Sequence, residues 1–232
     1  MKILAIDTSS KICSIAILND TNLIIEKNSD DEKTHSQKLM PLINDIFTET
    51  KLTLSDIDLI ACCIGPGSFT GIRIGVSTVK AFADTRDIPV IGITSLESLA
   101  YNISEFGYIV SLIDAKNDNV YFSLHKLDNN GNYTLIDSLL SDNINNIINI
   151  LNKYSNTPLF FVGDGCVVHK NLITENFSNC KFADDIQNIQ NSFSIGKAGF
   201  YKYNLGLSGN SNTLSPIYLK KSQAERALDG EL

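Results

Sequence analysis

The run ILAIDTSSKICSIAIL, residues 3–18, has a counterpart in the run YIVSLIDAKNDNVYFSL, residues 108–124. Each begins with an apolar segment that ends on an aspartate, Asp7 or Asp114. Each resumes an apolar segment six residues later, at Cys13 or Val120. Short apolar runs bounded by polar turn residues are typical of buried β-strands. The sequence therefore predicts that both copies open with two consecutive strands.

The resemblance between the copies extends beyond these strands. Each copy continues with a third strand, a helix and a fourth strand that leads into glycine. These elements are predicted at residues 22–27, 36–50 and 58–64, and again at 132–137, 141–153 and 158–162. A plan repeated about 100 residues later indicates an internal duplication. Chance similarity is the alternative, because the match is one of patterns and not of identities.

The predicted fold class is α/β, with two halves at residues 1–104 and 105–232. Alternation of strands and helices implies that each half is a mixed β-sheet flanked by helices. We expect the seam between the halves at residues 100–107, where no linker-like composition marks it.

Charge and composition exclude several classes of function. The chain has 232 residues with 19 Lys and Arg against 26 Asp and Glu, which gives a net charge of −7. Nucleic-acid-binding surfaces are usually basic, and here both halves are acidic. No run of about 18 apolar residues occurs, and an early acid interrupts any signal-peptide pattern. We therefore predict a cytoplasmic protein with no membrane contact and no strong grip of its own on nucleic acid.

Metal centres and nucleophilic triads find no support in the sequence. The five cysteines form no C-x-x-C pair, and no G-x-S-x-G elbow occurs. His35, His125 and His169 are too far apart along the chain to share one helix face. Cys62 and Cys63 are interpreted as small buried strand residues, with a redox switch as the alternative. We predict no catalytic residue and no metal ligand.

The most distinctive segment is GPGSFTGIRIG, residues 65–75, between a predicted strand and a predicted helix. Such a junction directs backbone amides at an anion, but Ser68 or Thr70 could equally cap the helix. The hydroxyl-rich stretch 7–10 after the first strand is similarly ambiguous. The candidate residues of a phosphate or nucleotide loop, or of its relic, are Asp7, Thr8, Ser9, Gly65, Gly67, Ser68, Thr70 and Gly71.

The two predicted helices of the first half carry more apolar surface than one core-facing stripe requires. Small residues four apart on the second helix would let another helix approach closely. A partner interface is predicted at Leu39, Met40, Ile43, Phe47, Gly71, Gly75, Thr78 and Phe82. The alternative is that the protein's own core covers both stripes.

Four motifs together resemble the TsaB (YeaZ) family of tRNA threonylcarbamoyladenosine biosynthesis proteins. They are residues 6–9 (IDTS), 34–36 (THS), 65–75 (GPGSFTGIRIG) and 216–220 (PIYLK). The resemblance runs the full length of the chain, and the glycine-rich run is its most specific part. It implies the duplicated actin-like ATPase fold that is shared with sugar kinases and chaperone ATPases.

The resemblance also implies a role without catalysis of its own. Such proteins support a TsaD-like catalytic subunit that, aided by a TsaE-like ATPase, modifies adenosine 37 of tRNA. Pairing with that subunit, or with a second copy when alone, is implied through the helices at 36–50 and 69–86. Contact with tRNA is then indirect, and ATP or ADP is implied only at the interface of the complex.

Two departures from the family pattern concern positive charge. Lys116 and Lys220 stand where the family often has arginine, which removes the planar fork that grips anions with two hydrogen bonds. The stretch after Asp7 also lacks the glycine-bearing turn of active phosphate loops.

An independent ATPase or small-molecule kinase remains the alternative function. A protease is a third possibility, but the sequence has no nucleophile–base signature for it.

Overall fold

The computed structural model describes residues 1–219, apart from the side chains of residues 138–140. Five strands form the first sheet: β1 (Lys2–Asp7), β2 (Cys13–Asn19), β3 (Asn22–Ser29), β4 (Leu59–Cys63) and β5 (Val90–Ile93). Their order is β3-β2-β1-β4-β5. The first three strands are antiparallel, and β4 and β5 run parallel to β1.

The second sheet repeats this arrangement strand for strand. Its members are β6 (Gly107–Lys116), β7 (Asn119–Leu127), β8 (Tyr133–Asn143), β9 (Leu159–Val162) and β10 (Cys180–Phe182). Their order is β10-β9-β6-β7-β8, with the same pattern of antiparallel and parallel pairs. The duplication and the α/β class predicted from the sequence are therefore confirmed.

Seven helices lie against the two sheets within the described residues. They are α1 (His35–Thr50), α2 (Phe69–Arg86), α3 (Ser95–Ala100), α4 (Ile144–Leu151), α5 (Asp164–Val168), α6 (Lys170–Asn176) and α7 (Ser192–Asn204). Helices α1 and α2 pack on one face of the first sheet, and α7 packs on its other face. Helix α3 belongs to the first half in sequence but packs on β6 and β7.

Each half thus sends its last helix onto the other half's sheet. Gly199 of α7 approaches Ala61 of β4 so closely that an added Cβ would lie 2.7 Å from the alanine Cβ. Whether residues 1–104 and 105–232 are separate domains stays a prediction, and residues 220–232 lie outside the described part.

Burial on both faces explains why the strands are almost continuously apolar. Along β1, Leu4 and Ile6 face the α1–α2 core, whereas Ile3 and Ala5 face the α7 core. Strand residues alternate between faces, so one unbroken apolar run fills two cores.

The start of the fourth helix was predicted wrongly from the sequence. The helix predicted to start at residue 141 begins at Ile144, because β8 stays paired with β7 as far as Asn143. The side chain of Asn143 then accepts a hydrogen bond from the Asn145 amide over 3.0 Å and caps the helix.

Replacing Gly199 by valine should lower the free energy of unfolding by about 1–3 kcal/mol, because the new side chain separates α7 from β4. Urea denaturation measures the change. Asn204→Val, at the exposed end of the same helix, controls for the effect of valine on the helix itself. Equal destabilisation by both variants would contradict the close packing of α7 on the sheet.

Candidate functional site

A cleft of about 950 Å³ opens between the loop that follows β1 and the turn that follows β6. The first half lines it with Ser9, Ser10 and Gly67, and the second half with Asp114 and Asp164. Polar residues at the ends of the central strands of two similar sheets therefore meet at one place. Three of the eight predicted phosphate-loop residues line this cleft: Ser9, Gly67 and Ser68.

Asp7 is buried at the end of β1, with a relative exposure of 1%. Its Oδ1 accepts a hydrogen bond from the Ser9 amide over 2.8 Å. Its Oδ2 has no hydrogen-bond partner among the described residues. Burial raises the pKa of Asp7 above its usual value, since the hydrogen bonds from Ser9 only partly offset desolvation.

The glycine-rich loop packs directly on the Asp7 loop. The Ser68 amide donates to the Ser9 carbonyl over 2.6 Å, and the Thr8 hydroxyl donates to the Gly71 carbonyl over 2.8 Å. A Cβ on Gly67 would overlap the Ser9 carbonyl oxygen. The structure thus brings together the two segments that the sequence singled out, through backbone contacts that tolerate no side chain.

The start of α2 satisfies its amide groups from within the chain. The Ser68 hydroxyl accepts from the Gly71 amide over 3.2 Å, which makes Ser68 the N-cap. Gly65 is buried and precedes a cis peptide bond to Pro66. Its carbonyl oxygen accepts a hydrogen bond from the Ser95 amide. Thr70 is exposed on the first turn of the helix. Of the two interpretations left open by the sequence, this geometry favours helix capping over anion binding.

The second half repeats the Asp7 arrangement with one difference. Oδ1 of Asp114 accepts the Lys116 amide over 2.9 Å, as Asp7 accepts the amide two residues on. A Cβ on Gly163 would overlap the carbonyl oxygen of Leu112, which lies within β6 two residues before Asp114. Unlike Asp7, the Asp114 carboxylate has a cationic partner, because Lys116 Nζ lies 2.5 Å from Oδ2.

Opposite pKa shifts follow from that difference. Burial by itself would raise the pKa of Asp114, but the hydrogen bonds from Lys116 outweigh it and hold the pKa below its usual value. The charge of Lys116 is therefore held by Asp114 and not directed at a ligand. Lys220, the other arginine-to-lysine departure, lies outside the described residues.

Asp164 is a cleft residue that the sequence analysis missed. Its carboxylate accepts the Asp114 amide over 3.0 Å and so joins β6 to the start of α5. The signal was available, because Gly163-Asp164-Gly165 stands after β9 where Gly65-Pro66-Gly67 stands after β4. Matching the glycines of the two copies would have found it.

The cleft is lined by five acidic residues and four lysines. Lys116 lies beside Asp114, and Lys38 lies 3.3 Å from Asp31. Lys11 and Lys33 are the other two lysines of the lining. The loop amides of Ser9, Ser68 and Gly71 donate to the chain's own oxygens.

Half of the predicted partner-interface residues are not free surface. Leu39 and Ile43 are only 1% and 3% exposed because they fill the core under α1. Gly71 and Gly75 face the Thr8 loop, where a Cβ would overlap the Thr8 carbonyl or hydroxyl oxygen. The expectation that these small residues admit a partner helix is corrected: they admit the Asp7 loop.

The other four residues retain exposed surface. Met40 is 50% exposed, and Phe47, Thr78 and Phe82 are partly exposed. Their role in binding a partner stays a prediction.

Phe69, Arg73 and Tyr218 form an aromatic–arginine group near Thr78, called here the Arg73 cluster. The sequence analysis did not identify this group. The guanidinium of Arg73 lies 4.0 Å from the Phe69 ring centroid, and its Nε donates to the Tyr218 hydroxyl over 2.8 Å. The two rings are 4.6 Å apart. Tyr218 reaches this place because the Ile217 amide donates to the Ile64 carbonyl over 2.8 Å.

The described residues offer neither a metal-binding group nor a membrane-spanning helix. Residues 1–219 contain no group of three His, Cys, Asp or Glu side chains placed to hold a metal ion. Nor does this part of the chain include a helix with the length and apolar character needed to cross a bilayer.

The repeated sheets, the helices exchanged between them and the cleft at their central strand ends define a protein of the actin-like ATPase fold. The family model described as "TsaD: tRNA N6-adenosine threonylcarbamoyltransferase" matches residues 29–228. The chain belongs to the family that this model describes and, within it, to the TsaB (YeaZ) proteins of tRNA threonylcarbamoyladenosine biosynthesis.

Individual relatives agree with this assignment. TsaB of Bacillus subtilis is 34% identical over 75% of this chain and 76% of its own length. TsaB of Haemophilus influenzae is 27% identical over 99% of this chain and 98% of its own length. A crystal structure described as an uncharacterized Pseudomonas aeruginosa protein similar to peptidase YEAZ superimposes with a TM-score of 0.75. At 24% identity, covering 94% of this chain and 99% of that one, it supports the fold.

The two equivalent aspartates should respond oppositely to neutralisation. The raised pKa of Asp7 means that its carboxylate form costs stability once the pH exceeds the unfolded-state pKa. Asp7→Asn should therefore raise the free energy of unfolding at pH 7 by about 1 kcal/mol or more. This gain should shrink as the pH falls towards the unfolded-state pKa, because protonation of Asp7 removes the cost of the buried charge.

Asp114→Asn is the matched control. The lowered pKa of Asp114 means that its carboxylate stabilises the fold above the unfolded-state pKa, and that this contribution is lost in acid. The variant should lose about 0.5–1 kcal/mol at pH 7, since Lys116 is largely exposed. Thermal unfolding at pH 4 and pH 7 measures both; a loss of stability in Asp7→Asn at pH 7 would show that the carboxylate is compensated after all.

Proposed function

We propose that this chain is a non-catalytic scaffold subunit that binds a TsaD-like catalytic partner in the synthesis of N6-threonylcarbamoyladenosine in tRNA. The observation that carries the proposal is the surface formed by α1, α2 and the Arg73 cluster. It combines exposed apolar residues with an arginine beside two aromatic rings. The loops beside the cleft, in contrast, are hydrogen-bonded to each other.

The composition of this surface matches the centre of a protein interface. Arginine and aromatic residues contribute most of the binding energy at interfaces and are enriched there. Here Phe69 and Tyr218 hold Arg73 in place by ring contacts and one hydrogen bond. An arginine ordered in this way loses less side-chain freedom on binding than one that extends alone into water.

The non-catalytic part of the proposal rests on the residues in and around the cleft. Asp7 is desolvated, Lys116 and Lys38 are paired, and Ser68 caps α2. No group of metal ligands stands ready among residues 1–219. Bond-making chemistry is accordingly assigned to the partner.

Further partners follow from the same assignment. We propose a TsaE-like ATPase as the third protein of the complex, and contact with tRNA only through the assembled subunits in the cytoplasm. ATP or ADP is placed at the interface of the complex and not within this chain's own loops. In the absence of the partner, the α1–α2 surface is available to a second copy, so a homodimer and the complex compete for one surface.

Charge reversal on the surface tests the scaffold function. The double variant Met40→Asp/Arg73→Glu should weaken binding to the organism's TsaD-like protein at least tenfold, because it places two carboxylates in an apolar contact. Size-exclusion chromatography and calorimetry of the mixed proteins measure the loss. Both residues are exposed, so circular dichroism should show an unchanged fold.

Val168→Asp is the control. Val168 is 60% exposed at the end of α5, in the second half of the chain. This variant introduces a carboxylate in place of an exposed apolar residue and should bind the partner normally. Normal assembly of the double variant would show that the α1–α2 surface is not the interface.

An independent ATPase or small-molecule kinase is the second candidate function. The observations in its favour are the volume of the cleft and the unpartnered, buried Oδ2 of Asp7. Calorimetry of the isolated chain with ATP and Mg²⁺ separates the two functions. The scaffold function predicts no saturable binding at millimolar nucleotide, whereas binding that Asp7→Asn abolishes would favour the enzyme.

A further inference from the structure

A second cavity, of about 520 Å³, is formed by α3, α7 and strands β7 and β8. We propose that it binds a small, uncharged, planar aromatic molecule. The cavity is called the tyrosine pocket after Tyr101, Tyr133 and Tyr201, which line it together with the polar residues Glu97, His125 and Lys202. This proposal is independent of the scaffold function.

The three tyrosines form an aromatic wall. The rings of Tyr101 and Tyr133 stack with centroids 3.9 Å apart and 19° between their planes. Tyr133 is fixed by its hydroxyl, which donates to the Ile103 carbonyl over 2.6 Å. Tyr201 lies 5.9 Å from Tyr101 and is 38% exposed, so part of its ring is open to the pocket and to solvent. Aromatic faces arranged in this way favour a flat ring that can stack.

Apolar side chains extend the wall towards solvent. Leu135, Leu205 and Leu207 line the pocket and are 52%, 74% and 60% exposed. Single exposed leucines are ordinary on a protein surface, but three around an aromatic cavity form a patch that an apolar ligand would cover.

The two residues of opposite charge in the pocket lining, Glu97 and Lys202, are paired with each other. Nζ of Lys202 lies 2.7 Å from Oε2 of Glu97, and their side chains are 29% and 15% exposed. The pair presents both a donor and an acceptor without net charge. A ring that carries a polar substituent would be oriented by this pair, whereas a charged ligand would compete with it.

His125 keeps this part of the wall uncharged. It is 4% exposed, and its Nδ1 lies 3.3 Å from the Ser123 hydroxyl oxygen. Burial, with a smaller contribution from Lys202, lowers the pKa of His125 to about 4. The imidazole is therefore neutral at physiological pH, which agrees with the balanced charge of the Glu97–Lys202 pair.

The volume of the cavity is that of a small-molecule site. Such sites typically enclose about 300–1,000 Å³ behind apolar and aromatic walls, and this cavity of about 520 Å³ falls within that range.

Saturation-transfer NMR and calorimetry on the full chain test the proposal with three planar probes, indole, quinoline and adenosine, and with cyclohexanol as the non-planar comparison. At least one planar probe should bind saturably and cyclohexanol should not. Tyr201→Ala should weaken that binding about three- to tenfold through loss of the stacking face.

Tyr203→Ala is the matched control, because Tyr203 is 37% exposed on the same helix but does not line the pocket. Its binding should equal that of the unmodified chain. The proposal is overturned if none of the three planar probes binds, or if both tyrosine variants weaken binding equally. It is also overturned if Tyr201→Ala reduces assembly with a TsaD-like protein and leaves probe binding unchanged, since the pocket would then receive a partner's side chain.

Discussion

The contact between a glycine-rich loop and the backbone that follows the first strand determines much of this structure. Gly67 and Gly71 lie where a single Cβ would overlap the carbonyl oxygen of Ser9 or Thr8. That approach sets the direction in which α2 leaves the sheet, and α2 in turn covers the first core. In the second half a Cβ on Gly163 would also overlap a carbonyl oxygen, that of Leu112 within β6. Glycine is required at these positions because there is no room for a side chain.

The same packing joins the two phosphate-suited loops of the first half to each other. Hydrogen bonds that would cradle an anion are made instead between the loops, as from the Ser68 amide to Ser9. Asp7 and Asp114 occupy equivalent places, but only Asp114 has a cation beside it. A duplicated fold thus holds two similar carboxyl groups with opposite pKa shifts.

The sequence and the structure differ most on the two helices of the first half. Their apolar excess was visible in the sequence, and Met40, Thr78 and Phe82 do retain exposed surface. Leu39 and Ile43, however, lie in the core, and Gly75 faces Thr8. Helical periodicity shows which residues share a face but not what covers that face. The Arg73 cluster was missed because Tyr218 lies 145 residues away along the chain.

The sequence by itself determined the succession of strands and helices along each copy, the duplication and the family, because apolar periodicity and the 65–75 run are local signals. Only the tertiary structure decided that α3 and α7 exchange sheets, that Asp7 is unpaired while Asp114 is not, and that three distant tyrosines form a pocket. The helix exchange and the tyrosine pocket depend on contacts between residues about 30 to 180 apart in the chain, which no local pattern encodes. Lys116 lies only two residues from Asp114, but its side-chain pairing still depends on how the turn after β6 folds.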